Sequence, residues 1–485
     1  MRKCAGPGSL SRRGLLGALA AFTPVAAVPV VSAHGSARAA AEPYAGLGEE
    51  SVAAFRRAWD AYRRLAWGRD ELRPLSGRGA DFFAQGHTFG LTIVEALDTL
   101  YLMELDEELD AAVRWVKHEL VLDQDVSVQV FEVIIRLVGG LLSGHLATGD
   151  HALLDLARDL ADRLMPAFLA SPTGAPYRFV NLSTGAVSGR DNHLAEIGSC
   201  ITEFGELSRL TGDRTYYDVA KKALRAACER RSRLGLLGTT LDVETGVWTG
   251  TTATLDPPAD SFFEYLWYGW KLYGDEELRT WYTTLTAGVF RYLADRSTGR
   301  LWFRQAEMST GRATGQVQSE LTAFYAGLLA RSGRVAAGES YHDSWTAVLD
   351  AFRLPPDLLD YRSLRAEVPS YPLRPEYVDA CLSLWLVTGK ELYRERAREM
   401  FDRQERYCRV ANGYTVVRDV TASPMKTGDL TPAYWFSENA KYYYLLFAEA
   451  RRFDYGSGYL TTEGNVLRGL RAPAPAPGGG GPVGK

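Results

Sequence analysis

Five times along this chain a helix-like segment stops in the same short hinge: Leu146-Ala-Thr-Gly149-Asp150, Leu210-Thr-Gly212-Asp213, Leu272-Tyr-Gly274-Asp275, Arg331-Ser-Gly333-Arg334 and Val387-Thr-Gly389-Lys390. Glycine ends a helix well because, without a Cβ, it enters the left-handed conformation that satisfies the last carbonyls. An Asp directly after it can cap the next helix. Successive hinge glycines lie 63, 62, 59 and 56 residues apart. A near-constant period of that length, filled by two amphipathic helices and a connection, means stacked helical hairpins.

Helical periodicity is plain over 51–67, 106–120, 216–231 and 391–408, whereas strand-like alternation is scarce and limited to pieces such as 415–420. With earlier pairs near 51–105 and 106–142 and a last helix at 432–450, the chain holds about fourteen helices. The expected fold class is all-α, seven hairpins closed into an (α/α)7 barrel. An open solenoid is the alternative, but the Pro/Gly-rich tail over 471–485 supplies no capping repeat and should be disordered. One domain over 45–470 follows.

A carboxylate recurs at one phase of this repeat. Glu132, Glu196, Asp260, Glu320 and Glu376 precede the five hinge glycines by 17, 16, 14, 13 and 13 residues, and Glu438 holds the matching place on the last long helix. Acids in a first helical turn often serve only as dipole partners. These helices, however, are apolar on nearly every side, as the inner ring of a toroid must be. Acids at one end of such helices converge on the barrel axis, repel one another, shift their pKa values and call for a cation. Convergent acids with aromatics at a barrel mouth suit glycoside hydrolysis, where one acid gives a proton and another activates water.

The termini and the charge narrow the setting. Ser11-Arg12-Arg13-Gly-Leu-Leu precedes a short apolar run and an Ala-rich end near Ala40, the pattern of a twin-arginine signal over 1–40 and hence of a secreted protein. That run is too short and too rich in Ala, Gly and Pro for a good span, so no transmembrane segment is expected in the mature chain. A net charge of −4 without a basic stripe argues against nucleic acid. Cys200, Cys228, Cys381 and Cys408 show no metal-type spacing and read as buried thiols with at most one bridge; Cys4 leaves with the signal.

The motifs then resemble one family over about 55–467. Phe55-Arg-Arg-Ala-Trp-Asp-Ala-Tyr62, Glu95-Ala-Leu-Asp98-Thr-Leu-Tyr, Val130-Phe-Glu132-Val-Ile-Ile-Arg136, Leu194-Ala-Glu196-Ile-Gly-Ser, Asp260-Ser-Phe-Phe-Glu264, Tyr371-Pro-Leu-Arg374-Pro-Glu376, Glu438-Asn-Ala-Lys441 and Thr461-Thr-Glu-Gly-Asn465 occur in order. The chain resembles glycoside hydrolase family 47, the class I α-mannosidases, which are (α/α)7 barrels, and most of all their ER degradation-enhancing branch. The resemblance implies a calcium-dependent, inverting enzyme that removes terminal α-1,2-linked mannose from mannose-rich oligosaccharides or glycoproteins; a monomer is expected. It implies Glu132 as general acid, Glu376 as general base and Asp260 as a third essential carboxylate, with Asp260 also able to supply the proton. Arg136, Glu196, Arg374 and Glu438 match the sugar subsite, Tyr434 an aromatic on the ring, and Thr462 the residue giving oxygens to Ca²⁺.

Four positions depart from the family pattern. Glu95 stands for an Asp, Asn465 for a His near calcium, and Ala323 for a disulfide cysteine of many processing mannosidases. Glu320 stands for a His, which implies a change in the glycan branch accepted. None removes a proposed catalytic acid. A mannose-glycan-binding protein on the same barrel, without turnover, is the second reading; the presence together of Glu132, Asp260 and Glu376 disfavours it.

Overall fold

The computed structural model describes residues 44–472. The twin-arginine segment, Cys4 and all but the start of the Pro/Gly tail lie outside the described residues.

Seven helix pairs form an (α/α)7 barrel. The inner ring is built in chain order from Leu91–Glu95 with Leu97–Leu102, Val130–Glu132 continued by Val133–Val138 and Gly139–Thr148, Leu194–Gly198 with Ile201–Thr211, Ser261–Tyr273, Glu320–Ala323 with Phe324–Arg331, Glu376–Thr388, and Trp435–Asn439 with Ala440–Phe447. The outer partners are Asp106–His118, His151–Leu169, Thr215–Cys228, Glu276–Tyr292, Val335–Phe352, Leu392–Tyr407 and, closing the ring, Ala45–Leu65. That last pairing corrects the phase expected from the sequence. The first helix packs on the last inner helix, with the rings of Phe55 and Phe436 edge to face at 5.7 Å. In a closed ring the partner of the first helix lies at the far end of the chain, which sequence adjacency does not reveal.

The inner helices are apolar because they are enclosed. Val130–Thr148 is apolar and long enough to cross a membrane, but 83% of its most apolar window is buried inside the barrel. Gly140 lets it approach the first inner helix, since a Cβ there would meet the Val94 carbonyl oxygen at 2.8 Å. At the hinge end, Gly149, Gly212, Gly274 and Gly389 turn with φ of 73°, 77°, 68° and 66°. Asp150 and Asp275 accept from the amides of Ala152 and Glu277 at 3.0 and 3.1 Å, capping the outer helices as expected. Cys200, Cys228, Cys381 and Cys408 are buried free thiols.

Strand is more frequent than the sequence suggested. Ser127–Gln129, Asp191–His193 and Val317–Ser319 each run straight into an inner helix. Each pairs antiparallel with the near strand of a hairpin that follows the outer helix: Phe179–Asn181 and Val187–Ser188, Thr240–Asp242 and Trp248–Gly250, Leu358–Asp360 and Arg365–Val368. Pieces of two to four residues are too short to show alternation. These hairpins sit at the end where the inner helices begin, and so they aim the recurring acids.

A last hairpin, Tyr459–Leu460 with Val466–Arg468, sends its turn into the barrel. A fully buried ion pair fixes it: Lys441 Nζ stands 2.6 Å from Asp98 Oδ1 and donates to the Gly464 carbonyl. The Val466 amide donates to Asp98 Oδ2 at 2.7 Å, and Asn465 Nδ2 donates to the Ile135 carbonyl at 3.0 Å. One salt bridge thereby ties the first and seventh inner helices to the turn that carries Thr462.

Candidate active site

The strand-bearing end opens into a cavity of about 470 Å³. All nine residues expected at the site line it: Glu132, Arg136, Glu196, Asp260, Arg374, Glu376, Tyr434, Glu438 and Thr462. Glu132 with Arg136, Glu196, Asp260, Glu376 and Glu438 come from five inner helices, and Arg374, Tyr434 and Thr462 from the segments beside them, so ring closure assembles them. Glu132 precedes a π-helical stretch, Val133–Val138, and Glu438 lies within another, Trp435–Asn439. Such local widening is frequent where a helix carries a functional side chain. Glu376 opens its helix three residues after Leu373, a buried non-glycine residue at φ 65°. A side chain held there costs of order 1–3 kcal/mol and persists where surrounding packing dictates it.

Arg136 is the hub. Its Nε donates to Glu132 Oε2 at 2.6 Å, and its Nη1 donates to Glu95 Oε1 at 3.0 Å and Glu463 Oε2 at 2.6 Å. The guanidinium also lies 5.7 Å from the centre of the Tyr434 ring, with that of Arg374 6.0 Å from it. The Tyr434 hydroxyl donates to the Pro372 carbonyl, which fixes the ring beside Glu376. Glu196 receives two bonds from Arg178, at 2.9 and 3.0 Å. Glu95 keeps an acid's role in the Arg136 network despite its extra methylene.

Sequence reasoning singled out part of the acid set. Glu264, Asp379 and Glu463 also face the cavity. Glu264 and Asp379 lie one turn into their inner helices, after Asp260 and Glu376, and helical spacing from those acids was the signal available. Eight carboxylates (Glu132, Glu196, Asp260, Glu264, Glu376, Asp379, Glu438, Glu463) meet four arginines (Arg136, Arg178, Arg331, Arg374) in the lining. Burial, with neighbouring acids adding to it, raises Glu376 to about 7 and Asp260 to about 6. Burial pushes Asp379 to about 6, and Glu264, Glu438 and Glu463 well above the ordinary range.

Glu320 does not behave as its place in the repeat suggested. It is absent from the cavity wall and fully buried, so it does not reach a glycan branch. Its segment, Glu320–Ala323, packs on the helix that Glu376 opens.

A hard cation suits this lining. The donors are oxygens and negative charge is in surplus. No three His, Cys, Asp or Glu among the described residues form a ligand cluster.

The family model described as "Glycosyl hydrolase family 47" matches residues 54–469. The chain belongs to glycosyl hydrolase family 47. It is 34% identical over 444 residues to alpha-mannosidase I MNS5 of Arabidopsis thaliana, covering 85% of this chain and 75% of that protein. It is 31% identical to mannosyl-oligosaccharide alpha-1,2-mannosidase IA of Drosophila melanogaster, covering 84% of this chain, and spans 65% of that protein's length. The human ER degradation-enhancing alpha-mannosidase-like protein 2 is 33% identical, covering 82% of this chain and 70% of that protein. These similar identities do not separate the degradation branch from the others. Among solved structures, an alpha-1,2-mannosidase from Trichoderma reesei superposes with a TM-score of 0.80 over 88% of this chain and 99% of that one, at 24% identity, which establishes the family barrel.

Proposed function

We propose that this family 47 protein is a calcium-dependent α-mannosidase that hydrolyses terminal α-1,2-linked mannose with inversion. The observation that carries the reading is the convergence of Glu132, Asp260 and Glu376 on one cavity whose carboxylates outnumber its arginines. The Drosophila relative is named for α-1,2-linked mannose.

Glu376 is the general base. Buried and raised to about 7, it is poised to take a proton from water near neutral pH. Tyr434, between Arg136 and Arg374, offers an aromatic face to a sugar ring. Glu196 and Glu438 accept from sugar hydroxyls, and Arg178 holds Glu196 in place. Two carboxyls can protonate the leaving oxygen. Glu132 is the one the family resemblance names, and it is ion-paired to Arg136. Asp260 forms no ion pair among the described residues, and burial raises it to about 6, so it holds a proton more readily than an ordinary aspartate. Calcium, when bound through the Thr462 oxygens, would neutralise part of the carboxylate surplus and hold sugar hydroxyls and water.

The test is mannose release from a defined α-1,2-linked oligomannose, followed by proton NMR in the first turnovers, with and without EDTA. The expected result is β-mannose first and no turnover in EDTA. Initial α-mannose contradicts the base role of Glu376, and full activity without metal removes calcium. Oligomannose binding with no release in calcium supports the glycan-binding reading instead. Export through Arg12 and Arg13 is proposed on the sequence pattern alone; secretion of the full chain, lost on Arg12→Lys with Arg13→Lys, tests it.

A further inference from the structure

Glu320 is the one repeat-phase acid behind the cavity wall. Its side chain is completely buried, and neither carboxylate oxygen has a hydrogen-bond partner among the described residues. Leaving an ionised carboxylate in that state is costly, so the group is held as a neutral acid unless something pairs with it. The strand Val317–Ser319 pairs with Leu358–Asp360, and the Glu320 amide donates to the Asp357 carbonyl at 3.1 Å. Glu320–Ala323 then packs on the helix that Glu376 opens. The groups facing Glu320 are Glu376, Arg374, Asp357 and the Tyr371 hydroxyl. Of the charges, that of Glu376 is the one it feels most strongly. Glu376 in turn has one buried oxygen, Oε2, that lacks a partner among the described residues.

Two buried carboxyls that face each other cannot both ionise; one keeps the proton. Glu320, away from the cavity, is the one held well above the ordinary range, by burial first and by Glu376 second. A protonated carboxyl has an O–H to donate, and the unpaired acceptor beside it is Glu376 Oε2.

We propose that Glu320 is a positioning residue for the general base: its neutral carboxyl donates to Oε2 of Glu376, fixing that side chain and leaving Oε1 free to take the proton from the attacking water. The inference rests on Glu376 being the base. The donated bond favours the charged form of Glu376 and so keeps its pKa from rising further. The proton on Glu320 does not move in the reaction.

The test uses the full chain with calcium and compares E320Q, E320M and E376Q. Glutamine keeps a neutral donor of the same shape, whereas methionine fills the space without one. E320Q is expected to hold kcat within about twofold of the parent and to keep the acidic limb of kcat/KM in place. E320M is expected to lower kcat about tenfold and move that limb up by about one pH unit. The difference infrared spectrum of the parent against E320Q at neutral pH should show one lost carbonyl band of a buried protonated carboxyl. Any of three results overturns the proposal: E320M indistinguishable from the parent, an E320Q limb displaced downward as removal of a negative charge would cause, or no lost carbonyl band. E376Q keeps the two readings apart. If E376Q is inactive and E320M is normal, the base stands and the role of Glu320 falls. If E376Q is fully active, the base assignment itself falls, and the kinetic role of Glu320 with it.

Discussion

At the hinge end of the inner helices, Gly149, Gly212, Gly274 and Gly389 turn through left-handed conformations, and Asp150 and Asp275 accept from the first amides of the next helices. At the strand end, one buried oxygen of Glu376 and both of Glu320 lack a protein partner among the described residues, and Asp260, in the N-cap position, makes no side-chain cap bond there. The same helices thus end in satisfied geometry on one side and in crowded, desolvated acids on the other. The hinge end is what a stable repeat needs. The strand end departs from local optima in the way expected where stability is traded for chemistry. The difference teaches that repeat position alone does not assign a role, because Asp275 and Asp260 are both acids at helix starts with opposite surroundings.

Substitutions at the two ends should separate activity from stability. The largest effect is expected for Glu376→Gln. An amide keeps the shape but takes no proton, so kcat should fall by about 10²–10⁴. Its thermal midpoint should hold or rise, since one charge leaves a like-charged cluster. Measuring both on one preparation is decisive, because an active but destabilised variant would make Glu376 a capping residue.

Next is the ion pair that ties the ends of the ring. Lys441→Met leaves Asp98 buried without its cation, which should cost about 3–5 kcal/mol in denaturant unfolding. A loss under about 1 kcal/mol would mean that Asp98 takes up a proton instead.

A smaller effect concerns pH. In metal-free protein, burial raises Glu71, Glu95 and Glu376 to about 7 and Asp260 and Asp379 to about 6, from ordinary values of 4.5 and 3.8. Between those limits the folded chain binds more protons than the unfolded one, so stability falls as pH rises. The melting temperature in EDTA should therefore climb as pH drops from above 7 toward 5, and calcium should flatten that slope. A metal-free slope of the opposite sign would show that the acids are already ionised and paired.

The smallest effect belongs to the hinge end. Asp275→Ala should cost about 1 kcal/mol and leave kcat unchanged. An activity loss there would mean that the two ends are coupled.

The sequence by itself determined the repeat, the count of seven pairs and the recurring acids at one phase of it. Glycine hinges and helical spacing are local properties, written over a few residues, and the order of motifs carried the family. It also placed Glu264 and Asp379 within reach, since one helical turn separates them from Asp260 and Glu376. Only the tertiary structure decided which helix closes the ring, because Ala45–Leu65 finds its partner at the other end of the chain. Only the tertiary structure set Glu320 apart from its phase mates. Its spacing is that of Glu376, yet one is fully buried behind the wall while the other lines the cavity. Burial and proton affinity depend on what surrounds a carboxyl on every side, and for these acids the surroundings come from other repeats.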